Sequence, residues 1–288
     1  MRNVPIVMGE PGVAGLDDAA RTMREWQHDG APVPLHPGDL GWHRRFGAEA
    51  TAAGVRTWRR DGQLLAVGLL DGPRLLRLAV APGAENDEEL ASQLATDITR
   101  PGLLPAGEAA VEARFGGALP ELLSAQGWDA GEPWTPLVRF LTEPVADCGL
   151  RIELAGPGRS AERVEVQRAA FAGSMFTDER WQAMAAGPEY ATARCLVGYD
   201  GGAAVATATV WSAGPGRPGL LEPLGVHRDH RGRGHGRAIT VAAAAALREL
   251  GSSSATVCTP SSNVGGVATY RAAGFEELPE VRDLHRGA

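Results

Sequence analysis

LLEPLGVHRDHRGRGHGR, residues Leu220–Arg237, runs from an apolar, strand-like segment into a loop dense in glycine and arginine, and then directly into the alanine-rich stretch 238–250. A strand that delivers glycines to the start of a helix builds an anion site. The first N–H groups of the helix have no intrahelical partner and the helix dipole favours negative charge there. The expected ligand of this stretch is a phosphate.

Upstream, the segment 219–226 reads as the last strand of a meander whose earlier members are 194–199 and 203–211, joined by Asp200-Gly201-Gly202. Downstream, the helix 238–250 leads to a strand at 255–259, a helix at 264–273 closed by Gly274, and a last strand near 281–285. A strand at 150–154 and helices at 160–171 and 177–186 precede the meander. The first half shows the same order: helices at 16–28 and 39–53, strands at 55–59, 63–70 and 74–80 with Asp61-Gly62 and Asp71-Gly72-Pro73 turns, a helix at 85–99, a strand at 110–115, a helix at 119–126 closed by Gly127, and a strand at 135–141. The pairs Gly127/Gly274 and Val80/Val226 are separated by the same interval to within one residue, which indicates an internal duplication. The expectation is an α+β (mixed α/β) chain of two tandem domains, 1–145 and 146–288, each a mostly antiparallel twisted sheet with helices on both faces.

Composition sets further bounds. A length of 288 residues with 44% apolar content suits two modest cores. The net charge of -7 argues against a general nucleic-acid binder. All 28 basic residues are arginine, which excludes a lysine nucleophile. Cys148, Cys195 and Cys258 lie far apart, so neither a disulfide framework nor a zinc site is indicated, and a reducing cytosol fits. Residues 1–12 lack a basic region followed by an apolar core, and no apolar run reaches membrane-spanning length. A cytoplasmic protein, monomer or homodimer, with no membrane or nucleic-acid partner is expected.

Arg231 to Gly236 contains R-x-x-G-x-G, which resembles the acyl-CoA loop of the GCN5-related N-acetyltransferase (GNAT) superfamily. Asn263 to Phe275 is similar to that family's closing N-x-x-A-x-x-x-Y-x-x-x-G-F, with Gly266 where alanine is usual. The two motifs stand in the right order with a helix and a strand between them. The resemblance covers 150–285 well and reaches the first half only through the duplication, so the chain looks like a tandem member with a degenerate N-terminal copy.

What the resemblance implies is specific. The cofactor is acetyl-CoA as co-substrate, held by Leu224, Val226, Arg231, Gly232, Arg233, Gly234, His235, Gly236, Arg237, Asn263 and Tyr270. Gly234 and Gly236 admit a diphosphate to the backbone, and the Val226 N–H is the oxyanion donor. Tyr270 protonates the departing thiolate or is a core aromatic. Asn263 is an N-cap in either case. Glu222 is the base for the attacking amine or a strand-edge carboxylate, and Pro223 beside it, lacking an N–H, predicts a bulge. Phe176, Trp181 and Trp211, with Phe171 and Met175, line the acceptor pocket or belong to the core. His227, His230 and His235 read as solvent-exposed loop residues, with no metal. Cys258 reads as a small buried apolar residue. In the first half Leu76 and Leu123 stand where Glu222 and Tyr270 do, and the acidic stretch Val80–Asp87 replaces the glycine loop.

The activity implied is transfer of an acetyl group to a small-molecule primary amine. A mycothiol-synthase-like acetyltransferase and an acyl-CoA-binding regulatory module without turnover are the alternatives.

Overall fold

The computed structural model describes residues 4–287, so the first three residues of the leader reading and Ala288 lie outside the described part. In the first half β1 (Ile6–Gly9), α1 (Gly12–Trp26), α2 (Pro37–His43) and α3 (Ala48–Gly54) precede the meander β2 (Val55–Arg60), β3 (Gln63–Leu70) and β4 (Leu75–Val80). There follow α4 (Glu88–Thr99), β5 (Ala109–Glu112), α5 (Leu119–Ser124) and β6 (Asp129–Phe140). The second half runs β7 (Arg151–Leu154), α6 (Ser160–Ala170), α7 (Asp178–Ala185), β8 (Ala193–Asp200), β9 (Ala203–Ser212) and β10 (Gly219–Val226). It closes with α8 (His235–Glu249), β11 (Ser254–Pro260), α9 (Val264–Ala272), β12 (Glu276–Glu277) and β13 (Val281–Arg286).

Local chemistry explains most boundaries. The β2–β3 turn places Asp61 and Gly62 at φ 48° and 78°, and Gly201 and Gly202 at 56° and 91° do the same between β8 and β9. Asp87 caps α4 by accepting from the Leu90 N–H. Both α5 and α9 end the same way. Trp128 N–H donates to Leu123 O beyond Gly127, and Phe275 N–H donates to Tyr270 O beyond Gly274, each at 3.1 Å, so the duplication extends to the capping motif. The single helix expected at 39–53 is broken instead: Gly47 at φ 96° separates a short 3-10 turn at Arg44–Phe46 from α3. The edge strand β1 and the two-residue β12 carry too little pattern to be read from sequence.

All strands join one sheet in the order β1-β2-β3-β4-β5-β13-β6-β11-β10-β9-β8-β7, with β12 paired to β6. Among the strands of the described residues, only the pairs β4–β5 and β10–β11 are parallel. Last strands are exchanged between the halves. The C-terminal β13 pairs with β5 of the first half, while β6 of the first half pairs with β11 of the second. Helices cover both faces: in β3 and β4, Val67, Leu69 and Ala79 join the core under α1 and α3, whereas Ala66, Leu76 and Leu78 join the core under α4 and α5. The apolar face of α8 packs on Leu196, Ala206, Ala208, Val210 and Leu221 of the second half. No helix among the described residues is long and apolar enough to cross a membrane.

Candidate functional site

Strands β10 and β11 pair only at Gly219/Ala255 and Leu220/Thr256, then part. β10 stays on β9 through Val226, which is opposite Ala206. The next residue, His227, donates to Val205 O at 2.8 Å, so by the alternation of an antiparallel ladder the N–H and C=O of Val226 and Leu224 face the side that β11 has left. A wedge of backbone donors and acceptors opens there.

A cleft of about 720 Å³ fills that wedge, and it brings together Leu224, Val226, Arg231, Gly232, Gly234, His235, Gly236, Arg237, Asn263 and Tyr270. Arg233 stands outside it, exposed to solvent. The helix α8 begins at His235, one turn earlier than the sequence suggested, with Gly234 at φ 83° as its N-cap residue. Its first N–H groups therefore open into the cleft. Gly236 is close-packed: a Cβ on it would lie 3.0 Å from Thr269 Cγ2.

The arginines of the loop bind carbonyls at helix ends. Arg231 Nη2 donates to Ala170 O at 2.6 Å, and Arg228 donates through Nε to Ala169 O at 2.9 Å, so together they close the C-terminus of α6. Arg237 Nε donates to Ala272 O at the end of α9. Asn263 accepts from Gly266 N–H at 3.1 Å as the N-cap of α9, and its Nδ2 donates to Thr259 Oγ1 at 3.0 Å. A Cβ on Gly266 would come within 2.3 Å of that Nδ2, which makes room for this Asn263 rotamer a reason for the glycine. The reading of His235 as a solvent-exposed loop residue is corrected. It is 6% exposed, drawn in as the first residue of α8, with Nε2 3.4 Å from Asp200 Oδ2. Among the described residues no cluster of His, Cys, Asp or Glu has metal-binding geometry.

Tyr270 is 8% exposed on the inner wall of the cleft, where burial first and then the negative charge of Glu222 raise its phenol above the ordinary value and keep it protonated. Glu222 lies at the expected bulge: the β9–β10 register shifts between Leu221 and Leu224, and the Glu222–Pro223 peptide is cis. Desolvation, helped by the nearby carboxylates of Asp39 and Asp71 and opposed by Arg77 and Arg45, pushes its carboxyl up to about 7. Glu222 faces a second, smaller cavity of about 180 Å³, which it shares with Cys258.

The expected acceptor aromatics sit elsewhere. Phe176, Trp181 and Trp211 are 3%, 3% and 1% exposed in the packing between the halves and line neither cavity, because α2 is laid over them. Phe176 stacks on Trp42 with centroids 5.2 Å apart. Trp211 Nε1 donates to Glu222 O, so it positions the bulge. Phe171 lines the large cleft, whereas Met175 is exposed. Sequence reading missed Arg228 as a helix-capping residue and missed Asp39, Asp71 and Arg77 as neighbours of Glu222, since only tertiary folding brings them there.

In the first half the place equivalent to the large cleft has closed to a volume of about 0 Å³. Asp87 is paired with Arg60, and a Cβ on Gly117 would lie 1.8 Å from Glu85 O, so the loop at Gly117 rests directly on the backbone of the acidic stretch.

Residues 163–275 match the model of the Acetyltransferase (GNAT) family. The whole chain is similar in fold to a GCN5-related N-acetyltransferase from Sphaerobacter thermophilus (20% identity, TM-score 0.58, covering 98% of this chain and 95% of that one). It is also similar to a GNAT-family acetyltransferase from Colwellia psychrerythraea (14%, 0.60, 98% of each chain). A tandem GNAT protein of the clavulanic acid biosynthesis pathway matches over 98% of both chains at 16% identity and TM-score 0.57. No curated protein sequence matches the chain.

Proposed function

We propose that the second half of the chain, whose residues 163–275 match the acetyltransferase family model, moves an acetyl group from acetyl-CoA to the primary amine of a small molecule by direct attack in a ternary complex. The observation that carries this reading is the wedge between β10 and β11, where the backbone of Val226, the open N-terminus of α8 and the Tyr270 phenol meet in one cleft.

Acetyl-CoA, when bound, supplies an activated thioester and a diphosphate. The N–H groups of Gly234–Arg237 hold the diphosphate, because they lack helical partners and no side chain stands between them and the ligand. Leu224 and Val226 present backbone groups to the pantetheine arm, and the Val226 N–H is placed to bind the oxyanion. Glu222, with a carboxyl titrating near 7, takes the proton from the attacking amine. Tyr270 keeps its proton until the sulfur leaves with a pair of electrons, then gives it up.

Residues 1–145 act on this reading as a degenerate copy that supports the second half, supplied with Leu76 and Leu123 in place of the base and the acid. Calorimetric titration with acetyl-CoA, followed by an assay for free thiol with a panel of small amines, tests the proposal. Saturable binding with amine-dependent thiol release is expected; no binding at near-millimolar acetyl-CoA would overturn it.

A further inference from the structure

The cavity under Glu222 is lined from six neighbouring strands: Arg77 on β4, Glu112 on β5, Asp283 on β13, Trp134 on β6, Cys258 on β11 and Glu222 on β10. The exchange of β6 and β13 makes this row continuous, since it inserts Trp134 and Asp283 between the two halves. Asp71 and Arg114 add to the polar wall, and Val33, Leu75 and Leu220 supply apolar surface.

Its charges do not balance. Four acidic side chains, Asp71, Glu112, Glu222 and Asp283, line it with two guanidiniums, those of Arg77 and Arg114. Arg77 Nε donates to Glu112 Oε2 at 3.1 Å while its Nη1 is held by Asp39 at 2.8 Å. Arg114 Nη2 lies 3.2 Å from the same Glu112 Oε2 and 3.6 Å from Asp283 Oδ1. Glu112 is 4% exposed, yet its other oxygen, Oε1, is buried without a hydrogen-bond partner. A buried carboxylate oxygen in that position leaves a strong acceptor unsatisfied unless a donor arrives from outside the chain. Burial raises the carboxyl of Asp283 above its ordinary value, opposed by Arg114 and reinforced by the charge of Glu112. The rim is also strained: Val33, a β-branched residue at φ 52°, lines the cavity and offers its carbonyl to Arg114 Nη1 at 3.4 Å.

We propose that this cavity is the acceptor pocket and that it selects a small amine carrying a second, non-reacting cationic group, with Asp71 and Glu112 of the N-terminal half as the specificity-determining residues. The proposal rests on the acetyltransferase reading only for the role of Glu222. The reacting amine lies at Glu222, and the second cation satisfies Glu112 Oε1 and offsets the surplus of carboxylates. A volume of about 180 Å³ admits an aminoalkyl chain and excludes a folded peptide.

The test is calorimetric titration of the full chain, with and without acetyl-CoA, using 1,5-diaminopentane, pentylamine and 6-aminohexanoic acid as size-matched probes. The diamine is expected to bind about tenfold or more tighter than pentylamine, and the amino acid more weakly than either. Glu112→Gln and Asp71→Asn are each expected to bring the diamine-to-monoamine ratio towards one. Asp71→Asn serves if Glu112→Gln unfolds the chain, because the Asp71 side chain is 27% exposed and lies 3.6 Å from Arg77. Equal affinities for diamine and pentylamine, or a preference for the amino acid, would overturn the proposal. Binding is the readout, so a diamine preference without acetyl transfer would sink the enzymatic reading and leave the pocket assignment standing. Transfer to all three amines at equal affinity would do the reverse.

Discussion

Trp211 Nε1 donates a 2.7 Å hydrogen bond to the backbone carbonyl of Glu222, tying the end of β9 to the bulge of β10. The indole is held from the other side by α2, whose Gly38 and Gly41 lie so close that a Cβ on either would be 2.4 Å from it. The first half therefore presses on the residue that holds the Glu222 carbonyl. Trp211→Phe removes the donor and leaves a half-buried carbonyl without this partner. It is expected to lower stability by about 1–3 kcal/mol, read from urea unfolding, and to reduce acetyl transfer more than acetyl-CoA affinity.

Glu222 must be ionised to accept a proton, so turnover is expected to rise with pH through about 7 and level off above it. In Glu222→Gln that limb disappears. The stability effect has the opposite sign. The folded-state pKa lies above the ordinary 4.5, so the native chain holds this proton more tightly than the unfolded chain, and the contribution is lost as pH climbs from about 4.5 to about 7. Thermal unfolding of Glu222→Gln across that window should show a weaker decline than the wild type.

Tyr270→Phe keeps the ring that packs against Phe275, with centroids 5.9 Å apart, and removes only the proton donor. Acetyl-CoA affinity should stay within about twofold while turnover falls roughly 10²-fold or more. Equal turnover would remove Tyr270 from the chemistry.

Gly234 adopts φ 83° with open space where a Cβ would be. Gly234→Ala is expected to cost about 1 kcal/mol in backbone strain and, because the new methyl projects beside the free N–H groups of α8, to weaken acetyl-CoA binding about tenfold in calorimetry. A loss of stability with unchanged affinity would move the diphosphate away from this loop.

Strand exchange makes each half depend on the other. Residues 1–145 alone leave β5 without β13, and residues 146–288 alone leave β11 without β6, so each fragment carries an open sheet edge. Neither is expected to show a cooperative urea transition by itself, and mixing the two during refolding should restore one. A cooperative transition in either fragment alone would count against the exchange as a folding requirement.

The glycine loop, the N-cap at Asn263, the capping glycines and the meanders were legible in the sequence because each depends on residues within a few positions of one another: a positive φ needs glycine, an N-cap needs a short acceptor, a strand needs its period of two. The bulge at Glu222 was legible for the same reason, since Pro223 has no N–H to give the ladder. The destination of the exchanged strands was not, because β6 and β13 carry patterns that suit either half of the sheet, and only the packing of the whole chain selects the neighbour. That choice brings Arg77, Glu112 and Asp283 into one row with Glu222. It also turned Trp211 from an expected wall of the acceptor pocket into the clamp behind Glu222. By itself the sequence determined where a glycine loop meets the start of a helix; the tertiary structure alone decided which buried charges surround Glu222, because burial and charge proximity are properties of residues far apart in the chain.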